Sequence, residues 1–111
     1  MSEKIVLENG ENNESLRKEI VSGLREKGIE DLEVKEKLIQ WTIKQEEKVE
    51  SAGRTVEARV CFEIERARLY FDGGYMGEAW ETLEAALIMA EQENQNELIR
   101  KIHDEMLKME W

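Results

Sequence analysis

Cys61 and His103 are the single cysteine and the single histidine of the chain. A thiolate nucleophile needs a base beside it, and an imidazole used as base or metal ligand needs a group that orients its second nitrogen. Neither arrangement is written in the sequence. The residues one helical turn from His103 are Ile99, Arg100, Met106 and Leu107, so His103 reads as a histidine at the edge of a core. Cys61, flanked by Arg59 and Arg66, reads as a small core side chain. One cysteine forms no internal disulfide, and no second Cys or His completes a zinc set. Glutamates are plentiful, yet no Glu-x-x-His pair of the di-iron bundles is present.

The run Gly73-Gly74-Tyr75-Met76-Gly77 invites comparison with loops that cradle phosphate. Such loops follow a strand, and the ATP-binding kind continues into Lys-Ser/Thr. Here a helical pattern precedes the glycines and Glu78 follows them, which makes the run a turn between two helices. With no nucleophile–base pair and no metal set, the expectation is a non-catalytic protein that takes no cofactor and no metal.

The elements that would carry any binding residues follow from composition. A chain of 111 residues makes one domain, with roughly 6,300 Å² of surface if it folds compactly. It has no proline, 38% charged residues and abundant Glu and Lys, a mixture that favours helix over strand. Lys and Arg number 16 against 26 Asp and Glu, a net charge of −10. Direct nucleic-acid binding needs clustered bases to displace counterions, so no nucleic-acid partner is expected. No apolar run reaches about 18 residues, and neither a leader nor a lipidation signal is legible, so the expected setting is cytoplasmic and away from membranes.

Residues 1–11 hold one apolar triplet, Ile5-Val6-Leu7, before Asn9-Gly10, and read as a flexible N-terminal arm. Residues 12–111 read as a single α-helical domain. A first helix is expected after Asn12 or Asn13, with Leu16, Ile20 and Leu24 on one face and Gly28 at its end. A second runs from about 31 to 52, striped by Leu38, Trp41, Gln45, Val49 and Ala52, with Ile39 and Ile43 widening the apolar arc. The third, near 54–72, is apolar on more than one side and therefore packs between neighbours. The fourth, about 75–92, buries Met76, Ala79, Leu83, Ala86, Leu87 and Ala90, with Trp80 at the edge. The fifth opens at Asn94, spaced from Glu97 as in a capping box, and carries Leu98, Ile102, Met106 and Met109 toward Trp111. The fold class is all-α, with about five antiparallel helices in layers.

The order Ala67, Tyr70, Gly74, Ala79, Leu83, Ala86-Leu87 resembles the tetratricopeptide repeat, a helix hairpin of about 34 residues, over residues 58–90. Small residues at Ala67, Ala79 and Ala86 would let two helix axes approach closely while Tyr70 and Leu83 fill the space between. Glu63 and Arg66 stand where that family carries Trp and Leu, and no proline closes the repeat. The resemblance implies a right-handed helix-hairpin array or short α-solenoid, with residues 12–53 as a preceding helix pair and 94–111 as a capping helix. It also implies a partner-binding face on the third helix at Cys61, Ile64 or Glu65, Arg68, and Phe71 or Asp72. Only Arg68 is basic there, so a carboxylate clamp is not expected.

From Arg68 to Arg100 no Lys or Arg intervenes, and Glu78, Glu81, Glu84 and Glu91 of the fourth helix would form an acidic ridge. Two functions fit. One is a repeat-type scaffold or adaptor that binds a protein or peptide through the third-helix face and pairs with its own copy to cover an unfinished end. The other is an acidic inhibitor whose ridge mimics nucleic acid and blocks a basic site on a target protein.

Overall fold

A computed structural model describes the backbone of residues 2–109 and the side chains of residues 14–109. Five helices make up the all-α fold: α1 (Ser2–Glu26), α2 (Leu32–Ser51), α3 (Val56–Asp72), α4 (Met76–Gln92) and α5 (Asn96–Lys108). No strand occurs among the described residues. The α1 backbone is helical from Ser2, ahead of the start expected at Asn12 or Asn13. The side chains of the expected arm, Ile5-Val6-Leu7 included, lie outside the described residues, as does Trp111.

Three of the turns share one design. Gly53, Gly74 and Asn94 take left-handed backbone angles, with φ of 80°, 90° and 55°. The next residue then donates its N–H five positions back: Arg54 to Val49, Tyr75 to Tyr70, Gln95 to Ala90. This is the Schellman closure, which satisfies carbonyls that the helix end leaves open. Asp31 and Thr55 cap the helices that follow them, accepting from the N–H of Val34 and Ala58 at 3.1 Å each.

At Asn94 the sequence expectation fails. The capping box with Glu97 does not form, because Asn94 closes α4 rather than opening α5, and the N-cap position falls to Gln95, whose side chain makes no cap bond. Asparagine suits both jobs, and its tolerance of the left-handed region decides between them here.

α3 is the centre. It packs against α1, α2, α4 and α5, whereas α2 and α4 do not touch each other. Its two faces serve two cores. Val60, Ile64 and Ala67 join Ala79, Leu83, Ala86 and Ala90 of α4 with Leu98, Ile102 and Met109. Phe62 and Leu69 join Leu16, Ile20, Leu24, Val34, Trp41 and Val49 of the first hairpin. The alanines at 67, 79, 86 and 90 are fully buried, so backbones meet closely along the α3–α4 contact. Close approach recurs at Gly73, where an added Cβ would lie 2.5 Å from Leu24 Cδ1.

The body measures 42 × 34 × 20 Å and exposes 7434 Å², above the roughly 6,300 Å² of a compact chain of this mass. Thin layers leave more surface in water. The expected α2 stripe is corrected accordingly. Trp41 and Val49 are buried and Val34 joins them, but Ala52, Ile39 and Ile43 face solvent. No helix among the described residues is long and apolar enough to cross a membrane.

Candidate functional site

Four of the residues expected to bind a partner fall on one row of α3. Cys61, Glu65, Arg68 and Asp72 recur at four- and three-residue spacing and are all partly exposed. Ile64 and Phe71 do not belong to that row. Ile64 is buried, which corrects it from an outward to an inward position, and the partly buried Phe71 packs against the α3–α4–α5 core.

Most of the row is engaged within the chain. Arg68 donates Nε to Glu105 Oε1 at 3.0 Å and Nη2 to Glu105 Oε2 at 2.6 Å, while Nη1 reaches Glu65 Oε1 at 3.0 Å. Glu105, on α5, is only 4% exposed, and Lys108 Nζ lies 3.5 Å from its second oxygen. The hydrogen bond from Arg68 holds the Glu105 carboxyl below its ordinary range, against the opposing push of burial. Glu105 in turn raises Arg68 further. At the other end, Asp72 accepts Arg17 Nη2 at 2.7 Å, and its backbone carbonyl accepts Arg25 Nε at 2.6 Å. Thus Arg68 fastens α5 to α3, and Asp72 fastens α1 to α3.

Cys61 lines an open groove of about 390 Å³ between α2 and α3, beside Gln45, Lys48 and Glu65. No histidine joins it there among the described residues, and His103 is exposed on α5. No group of three or more potential metal-ligating side chains occurs among the described residues. The Gly73–Gly77 run is the α3–α4 turn, and Tyr75 within it accepts the Ile29 N–H on its hydroxyl at 2.9 Å. Glu63 and Arg66 contact each other at 2.8 Å, with the guanidinium 5.7 Å from the Phe62 ring centroid.

Two surfaces remain open. On α4, Glu81, Glu84 and Glu91 are exposed and Glu78 partly so, and none makes an ion pair among the described residues. Ile88, 56% exposed, stands among them. On α2, Leu32, Ile39 and Ile43 are 72%, 59% and 55% exposed. Their seven- and four-residue spacing puts them on one stripe, opposite the buried Val34, Trp41 and Val49.

Sequence reasoning missed both the α2 stripe and Glu105. The first could have been found by noticing that α2 has apolar residues on two opposite sides, of which a thin fold buries one. The second has no signal short of knowing that α3 and α5 meet.

The chain matches no protein-family model, and no curated protein or solved structure matches it significantly.

Proposed function

We propose that this chain is a cytoplasmic, non-catalytic interaction module of tetratricopeptide-like build, a scaffold or adaptor that binds a protein or peptide partner. The observation that carries the reading is the α2 stripe. Leu32, Ile39 and Ile43 stand in water on one face, and aligned aliphatic residues rimmed by charge mark protein contacts. The repeat-like build draws support from the fully buried Ala67, Ala79, Leu83 and Ala86, and from one turn design used at Gly53, Gly74 and Asn94. α1, α3 and α5 touch in succession while α2 and α4 stay apart, as in a stack of hairpins.

Occupation of Arg68 and Asp72 by neighbouring helices favours α2 over the α3 row as the binding face. The test is partner retention from the source cell at low and high salt. Ile39→Glu with Ile43→Glu should abolish retention while Glu81→Lys with Glu84→Lys preserves it.

The second reading is an acidic inhibitor that occupies a basic site on its target, favoured by the α4 carboxylates, which make no ion pair among the described residues. In that case the lysine pair abolishes retention, the α2 pair leaves it intact, and added salt weakens it steeply. Retention that survives both pairs of changes sinks both readings.

A further inference from the structure

The turn between α4 and α5 is built from residues that a helix accepts. The α2–α3 turn contains Gly53 and the α3–α4 turn Gly73-Gly74, but Glu93-Asn94-Gln95 has no counterpart to them, and no glycine or proline occurs from Glu78 to Trp111. Closing this turn has costs. Asn94 is held at φ 55°, and Gln95, the N-cap of α5, offers no side-chain cap to its first N–H groups. A straight helix through 93–95 removes both.

On a straight helix the buried Leu98, Ile102, Glu105 and Met109 of the α5 segment lie about 100° round from the buried Ala79, Leu83, Ala86 and Ala90 of α4, so the joined helix carries two buried faces, one for its own α3 and one turned away from it. The joined helix, 76–108, would be about 50 Å long. Straightening withdraws α5 from its seat against Val60, Ile64, Ala67 and Ala86, and exposes Arg68. The α5 of a second copy is the one helix certain to fit that seat. It brings the same Leu98, Ile102 and Met109, and the same carboxylate for Arg68.

We infer that two copies of this chain exchange α5, each laying it into the α3–α4 seat of the other to form a two-fold dimer. Every contact between α5 and the seat is conserved in the exchange, while the Asn94 turn is released in both copies. The exchange provides a route to the self-association expected of an open-ended helix stack. It rests on the repeat-like packing of α3–α5 but uses none of the α2 stripe, so either can fail alone.

The test uses two full-length copies, one carrying Arg68→Glu and the other Glu105→Arg. Alone, each sets like charges between α3 and α5. Mixed, each α5 meets an opposite charge only on the other copy. Native mass spectrometry should then show the mixed dimer several-fold above either self-dimer, with the thermal transition restored on mixing. A chain carrying both changes should fold on its own and reports that the reversed pair is tolerated. If it folds while the mixed copies stay apart, exchange is overturned.

A second measurement needs neither charge variant. Asn94→Ala favours the straight helix, whereas Asn94→Gly favours the turn, and Asn96→Pro permits a helix start but not a helix interior. After incubation at high concentration, the dimer fraction should rise several-fold in Asn94→Ala and vanish in the other two. An equal fraction in all three, or a strictly monomeric Asn94→Ala, overturns the inference.

Discussion

Arg68 of α3 grips both carboxylate oxygens of Glu105 on α5, at 3.0 and 2.6 Å, and Glu105 is the one buried charged residue among the described residues. α3 and α5, which also share a core, are pinned by this pair. Arg68→Ala leaves that carboxylate buried with only the exposed Lys108 near it, and should cost about 2–3 kcal/mol in urea denaturation. Replacing both residues by Met should cost clearly less, because no charge is then stranded. Equal losses for the single and double variants would show that the pair is not the cause.

The same pair sets an acid response. The folded-state pKa of Glu105 lies below its ordinary 4.5, chiefly through the Arg68 hydrogen bond. As pH falls, the unfolded chain takes up this proton first, so the pair's contribution is present above about pH 4.5 and drains away as pH drops toward the folded value. Stability curves of wild type and Glu105→Gln should therefore converge below that pH and separate above it. Parallel curves from pH 3 to 7 would assign the acid response to other groups.

What the sequence could and could not reveal divides along a physical line. Leu16, Ile20 and Leu24, then Ala79, Leu83, Ala86 and Ala90, were legible because each helix has one dominant apolar stripe and packing follows period. On α2 the rule gives two answers, since Ile39 and Ile43 stand opposite Val34, Trp41 and Val49, and only the thinness of the fold decides which side stays wet. The α3 row was legible as a row but not as a set of fasteners. The partners of Arg68 and Asp72 lie 37 and 55 positions away, where no local pattern reaches. Asn94 was legible as a helix boundary but was put at the wrong end of it.

Adjacent glycines at the α3–α4 turn should fail for different reasons. Gly74 holds φ at 90° with nothing within 4 Å of an added Cβ, so Gly74→Ala carries a purely conformational cost of about 1–2 kcal/mol. Gly73 has ordinary angles, but its Cβ would meet Leu24 Cδ1 at 2.5 Å and Leu24 Cβ at 2.8 Å. Gly73→Ala must push α1 away from α3, and Leu24→Ala should lessen that added penalty while leaving the Gly74→Ala cost unchanged. A double-mutant cycle on thermal stability reads both, and a Leu24 coupling to Gly74 as large as that to Gly73 would contradict the packing.

Tyr75 supplies the last test. Its hydroxyl accepts the Ile29 N–H at 2.9 Å and so ties the α3–α4 turn to the α1–α2 loop. Its ring packs beside the first hairpin's core, so Tyr75→Phe keeps the apolar contact and removes the acceptor alone. A partly buried N–H left without a partner should cost about 1–2 kcal/mol. The loss should be local as well as global: amide exchange at Ile29 should quicken far more than at Val60, which lies in the other core. Uniform quickening at both sites would mean that the two halves unfold as one unit and that this hydrogen bond has no separate role.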